Sequence, residues 1–187
     1  NDGHPVTQEY ARQQVRRTDG ETRDNFVNKL ARVPLRYQPG ERWMYSLSTD
    51  VCGALVEIIS GKPLGQFFAE EIFEPLKMKD TSFVVPRDKL DRFAANYRRG
   101  SDKSLKLLED PEKSVYLTAP SFASGGGGLV STTADYIRFC EMLRRGGELD
   151  GARILGPRTI ALMHRNHLKD NQDLVQMAIG GFSETAN

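Results

Sequence analysis

The stretch "STDVCGALVEIISGKPLGQFFAEEIFEP", residues 48–75, decides the fold. Val51, Ala54, Leu55, Ile58 and Ile59 fall at i, i+3, i+4, i+7 and i+8, the spacing of one helix face. Ser48 or Thr49 stands where a side-chain cap belongs, and Gly61 where a glycine stop belongs. Pro63 suits the first turn of a second helix, which would bury Leu64, Phe67, Phe68 and Ile72 before Pro75 halts it. The reading is a helical hairpin over one core.

Working outward, "TRDNFVNKLARV" (22–33) gives an earlier helix with Phe26, Val27, Leu30 and Ala31 at helical spacing, ended by Pro34. Pro39-Gly40 suits a type II turn with the glycine at positive φ. "TSFVVP" (81–86) reads as a short extended segment, and "FAANYRR" and "SLKLLED" as two strands joined around Gly100 and Ser101. "PRDKLDR" (86–92) reads as a solvated helical turn. Thr132 with Asp135 resembles a capping box for a helix near 132–145 that buries Tyr136, Phe139, Cys140 and Leu143. "PRTIALMHRNH" (157–167) is a last short helix. Residues 1–21 and 170–187 show no clean period and are expected to be weakly structured ends. The expectation is one mainly helical domain over 1–187, with a small antiparallel element from the 83–108 region.

The 187 residues carry 26 Lys plus Arg against 25 Asp plus Glu, a formal net charge of +1. That balance gives no electrostatic reason to expect nucleic acid or an anionic membrane as partner. No apolar run approaches the ~20 residues that span a bilayer. The first residue is Asn1 rather than Met, and "NDGHPVTQEYARQQVRRTDG" has no signal-peptide apolar core, so the chain reads as a segment of something longer. Cys52 and Cys140, the only cysteines, lie in helical apolar patterns and are expected to be buried, unpaired thiols. With no leader visible, these favour a cytoplasmic protein and leave the periplasm open. His4, His164 and His167 stand at no zinc-ligand spacing, and no metal or other cofactor is expected. The four glycines at 125–128 are followed by Leu129-Val130, not by the Gly-Lys-Ser/Thr of a phosphate loop, and no dinucleotide fingerprint surrounds them. They read as flexible backbone packed closely against another element.

The turn "PGERWMYSLSTD" (39–50) raises the chemical question, because Tyr45 is either a core aromatic with a wet hydroxyl or a base in a serine enzyme. From Leu35 to Met163 the order of landmarks resembles the serine β-lactamase-like family of class C β-lactamases, DD-peptidases and related esterases. "LRYQPGERWMYSLSTDVCGALVEIISGKPLGQFFAEEIFEPLKMKDTSF", then "GGGGLVSTTADYIRFCEMLRRGGEL" and "ILGPRTIALM", carry the resemblance. It is closest to the esterase branch, where a Tyr-Ser-Leu triplet replaces the lactamases' Tyr-x-Asn.

The resemblance implies an α+β fold, of which this chain is the helical domain with the central sheet largely missing. It also implies acyl transfer through a Ser-x-x-Lys serine, with a tyrosine sharing the proton work. Only Tyr45 lands on a catalytic position. A phenol titrates near ~10 and is a poor base at neutral pH until neighbouring ammonium groups favour its phenolate. Leu47 stands where lactamases and peptidases place a substrate-binding amide. A site without that hydrogen-bond partner is expected to prefer esters to peptides.

No Ser-x-x-Lys, Lys-Thr-Gly or His-x-Gly motif occurs where the family would place one; "SGK", "SDK" and "SLK" are each one residue short. The expected nucleophile therefore belongs to the remainder of a parent chain, and this chain alone should be inactive. Ser46 and Ser48 have neither a lysine three residues on nor a glycine-flanked elbow, and read as turn and capping residues. The expected substrate is a small ester or a β-lactam-like molecule. Two alternatives stand beside the esterase: a class C-type β-lactamase or DD-peptidase, and a non-catalytic helical binding module.

Overall fold

The computed structural model describes residues 3–15, 20–41 and 43–173, and among these six α-helices and two short antiparallel hairpins alternate with irregular turns. Pro5–Arg12 (α1) opens the chain, where no periodic element was expected. Pro5 occupies a first-turn position and the His4 imidazole accepts the Val6 N–H at 3.2 Å. Val6 and Tyr10 then pack on the core, two apolar anchors too sparse to make a sequence period. Arg23–Leu30 (α2) begins at Thr22, whose hydroxyl accepts the Asn25 N–H at 3.2 Å, and it buries Phe26 almost completely. The rest of the expected weak C-terminal end, from residue 174 on, lies outside the described residues.

The 48–75 stretch folds as Ser48–Ser60 (α3) and Leu64–Phe68 (α4). Gly61 ends α3 in the left-handed conformation at φ +69. Glu57 accepts the Leu64 N–H at 2.9 Å and ties the two helices at their junction. Two details differ from expectation. Neither Ser48 nor Thr49 caps α3; the hydroxyl of Ser46, two residues before the helix, accepts the Ser48 N–H at 3.2 Å instead. The second helix does not run evenly to Pro75, because Ala69–Phe73 widens into a π-turn in which Glu74 N–H reaches Ala69 C=O at 2.9 Å. Phe73 and Leu76, three residues apart, are both buried.

The hydrophobic residues form two clusters rather than one core. The first joins Val15, Phe26, Val33 and Phe122, with Leu47 and Val51 packed on it; the Phe26 and Phe122 rings lie 5.1 Å apart. The second joins Phe73, Leu76, Met78, Met142 and Leu149. It is closed by Thr133–Arg144 (α5) and the Glu148–Leu149 (β1) and Ala152–Arg153 (β2) hairpin. Thr132 caps α5 by accepting the Asp135 N–H at 3.2 Å. The Asp135 carboxylate, buried, accepts instead from Asp80 N–H at 2.7 Å and Thr81 O–H at 2.9 Å, so half of the expected capping box is spent on tertiary contacts.

The apolar stripes of α3 and α5 do not all point inward. Ala54 is buried, but Leu55, Ile58 and Ile59 are exposed, Ile59 to 83%. Tyr136 and Cys140, expected to be buried, are exposed with Ile137, while Met142 takes the core position. Cys52 shares the outward face of α3 with Leu55 and Ile59, so both cysteines are free, as expected, but exposed, contrary to expectation. The other hairpin, Asn96–Arg99 (β3) with Leu105–Glu109 (β4), sits where the strands were expected and is exposed along almost its whole length. The 86–92 segment is a 3₁₀ turn, and Pro157–Met163 (α6) is the last α-helix described.

The glycine run lies on the first turns of α3. A Cβ on Gly125 would sit 2.1 Å from the Thr49 carbonyl oxygen, and one on Gly126 would sit 2.8 Å from the Thr49 hydroxyl. A Cβ on Gly53 would in turn sit 3.0 Å from the Gly125 backbone. Gly128 adopts φ +88, whereas Gly127 has open space for a Cβ. Close approach, not phosphate chemistry, is what Gly125 and Gly126 serve, and a left-handed backbone is what Gly128 serves.

Two measurements test this packing. Asp80 is held by a two-pronged hydrogen bond from Arg92 and by Lys89 at 2.7 Å, which lower its carboxyl from 3.8 to about 2. A pKa lowered on folding makes these pairs stabilising above the unfolded value. That contribution is lost as pH falls from about 4 to about 2. Side-chain NMR should give an Asp80 midpoint near 2 that rises in Arg92→Ala; a midpoint near 3.8 contradicts the clamp. In urea unfolding, Gly125→Ala should cost about 1–3 kcal/mol because backbone must move. Gly127→Ala should stay within about 0.5 kcal/mol. Equal effects contradict the close approach.

Candidate active site

The site begins at the Pro39-Gly40 turn, where Gly40 adopts φ +79 and Glu41 N–H reaches Gln38 C=O at 3.0 Å. This is the geometry the Pro-Gly pair was expected to give. The chain then carries Trp43 and Met44, both half-buried, into the turn that enters α3. Tyr45 stands on that turn with 66% of its surface exposed. Its ring is not a core aromatic of either cluster.

Ser46 and Ser48 form a small hydroxyl pair, their oxygens 2.5 Å apart, with Ser46 also accepting the Ser48 N–H. Both hydroxyls are engaged in shaping the entry to the helix, which is the turn role expected of them. Leu47 is the residue before α3, and its carbonyl accepts the Val51 N–H at 3.1 Å. Its side chain is half-buried against the Phe26 cluster, so an apolar contact is what it has to offer a ligand.

One pair in this region was missed by sequence reading. Asp50, third residue of α3, is buried, and its carboxylate accepts the Ser124 hydroxyl, also buried. Ser124 Oγ in turn accepts the Gly126 N–H at 3.0 Å. The carboxylate lies in the positive first turn of the helix, where a negative charge is stabilised by the aligned N–H groups. The signal available in the sequence was an acid inside an apolar helix start and a serine heading a glycine run; nothing in either position points to the other across 74 residues.

The histidines do no comparable work. His4 caps α1, His164 follows the last residue of α6, and His167 Nε2 lies 2.8 Å from the Leu162 carbonyl. Among the described residues no three His, Cys, Asp or Glu side chains gather as a metal site, and no helix is long and apolar enough to cross a membrane. The arrangement is therefore an exposed phenol on a rigid turn, a half-buried Leu47 beside it, and a bare glycine backbone fixed to the same helix start.

Known proteins bear on this geometry. A family model described as β-lactamase matches residues 2–185. Protein Rv1367c of Mycobacterium tuberculosis is 39% identical over 170 residues, covering 91% of this chain and 42% of its own length. Esterase EstB of Burkholderia gladioli is 32% identical over 135 residues, 65% of this chain and 34% of its own. The structure of EstCE1, a hydrolase with promiscuous acyltransferase activity, superposes with a TM-score of 0.73 at 28% identity, over 97% of this chain and 48% of that one. The chain thus spans less than half the length of each. It shares the β-lactamase-like fold with esterase and acyltransferase neighbours, as the sequence resemblance implied, and it belongs to the β-lactamase family.

Proposed function

We propose that this chain is the helical part of an ester-cleaving serine hydrolase, with Tyr45 as the general base and the nucleophilic serine supplied by the rest of a parent chain. The observation that carries the proposal is the place of Tyr45. It is exposed on a turn anchored at both ends, by the Gly40 turn and by the start of α3. A packing tyrosine would have most of its surface buried, and Tyr45 does not.

In this reading the Tyr45 phenolate takes the serine proton as the serine oxygen bonds to the ester carbonyl carbon. The tetrahedral species collapses with loss of the alcohol oxygen, and Tyr45 returns the proton to it. Water then releases the acyl group by the same proton path in reverse. Leu47 supplies apolar surface where an amide-binding group would serve a peptide substrate, which favours small esters and disfavours the β-lactamase and DD-peptidase alternative.

The unburied apolar surface supports a parent larger than this chain. Leu55, Ile58 and Ile59 on α3 and Tyr97, Leu105 and Leu107 on the β3–β4 hairpin are all about half or more exposed. Exposed apolar surface on each of these elements fits a contact, and we assign it to the central sheet of the parent and the segment bearing the nucleophile. The 187-residue chain alone lacks a Ser-x-x-Lys motif and should hydrolyse neither nitrophenyl esters nor chromogenic cephalosporins.

The test is Tyr45→Phe in the full-length parent. It should lower kcat/KM for a short-chain ester by about 10²–10⁴-fold, the range for a positioned acid–base group, with the melting temperature unchanged. A loss under threefold at an unchanged melting temperature rules out Tyr45 as the base. A parent that shows no acyl transfer at all favours the non-catalytic binding module.

A further inference from the structure

The glycine run is the most permissive backbone in the chain, and yet it is tied down by the most buried polar contact of the α3 start. Asp50 and Ser124 are 5% and 3% exposed. The links run from the rigid helix through the Asp50 carboxylate to the Ser124 hydroxyl, and from Ser124 Oγ to the Gly126 amide. Gly126 and Gly127 carry no side chain and are exposed to solvent beyond this tether. A buried carboxylate is a costly way to fill space, since an apolar residue would pack without desolvating a charge. What it adds is direction: a charge-assisted hydrogen bond fixes one loop geometry among the many that glycine allows.

We infer that the Asp50–Ser124 pair is a positioning latch that holds the 124–128 backbone at a fixed place on the first turn of α3, next to the Tyr45–Leu47 turn. This rests on the proposed ester-cleaving role of that turn. Asp50 and Ser124 touch no reacting atom in this scheme; they act through the glycine loop. With the latch closed, an exposed, side-chain-free stretch of backbone forms a fixed wall on the helix start that follows the Tyr45 turn. With it open, Gly125 and Gly126 lose their register on Thr49, and a group bound between the loop and the turn loses its alignment. Misplacement by about 1 Å at such a site costs on the order of 10²-fold in rate.

The experiment uses the full-length parent with Asp50→Ala, Ser124→Ala, the double variant and Asp50→Asn. Each is assayed for kcat and KM on a short-chain ester and for amide hydrogen exchange in residues 124–128. Either alanine variant should lower kcat by about 10²-fold with little change in KM. The double variant should lose no more than the single ones, because both break one contact. Asp50→Asn, whose amide oxygen still accepts the Ser124 hydroxyl, should recover most of the loss. Exchange should quicken in 124–128 and not along the rest of α3. If the melting temperature falls while kcat per folded molecule stays within threefold, or if the two losses multiply, the latch is only structural and the inference fails. Tyr45→Phe run in parallel separates the two claims: a harmless Tyr45→Phe removes the base, while the exchange data still judge the latch. Should the parent turn over no ester, unchanged exchange in 124–128 overturns the latch and selectively faster exchange sustains it.

Discussion

The approach of Gly125 to the Thr49 carbonyl is the constraint on which the candidate site depends. A Cβ there would stand 2.1 Å from that oxygen, so no residue but glycine lets the 124–128 segment reach the start of α3. Once it does, Ser124 is carried to Asp50 and Phe122 to Phe26. The same few residues therefore close the first hydrophobic cluster, on which Leu47 of the Tyr45 turn also packs. Helix start, loop and cluster are one unit, and a change in any of them is felt by the other two.

The second cluster is a separate piece of engineering. Phe73, at the end of the Ala69–Phe73 π-turn, and Leu76 pack with Met142, while the Asp135 carboxylate gathers Asp80 and Thr81 at the opposite end of α5. Through Asp80, Arg92 and Lys89 bind the 3₁₀ turn to the same place. This half holds the helices in order, and the half containing Tyr45 carries the chemistry proposed here. Each helix gives only part of its expected stripe to these clusters, with Leu55, Ile58 and Ile59 on α3 and Tyr136 and Cys140 on α5 turned outward.

Local patterns were legible where they were strong. The helix at 48–60 followed from a five-residue apolar spacing and a glycine stop, and the cap at Thr132 from its own side-chain chemistry. The hairpin around Gly100 followed from its turn residues. Periodicity names a stripe but not what the stripe faces, which is why Cys52, Cys140 and Tyr136 were placed inside and are outside. The α1 helix was missed because only Val6 and Tyr10 of its eight residues pack on the core, too few to make a period. The resemblance singled out Tyr45 and Leu47 through the motif around them. The Asp50–Ser124 pair had no such signature, being a contact between two unremarkable polar residues far apart in the chain.

The central claim is that the base and the nucleophile come from different parts of one parent chain. Covalent trapping tests it most directly: the full-length parent is treated with an alkyl phosphonate ester, digested, and the modified residue identified by mass spectrometry. The account predicts a single adduct on a serine outside these 187 residues, in a Ser-x-x-Lys context. An adduct on Ser46, Ser48, Ser124 or any other residue of this chain would contradict it.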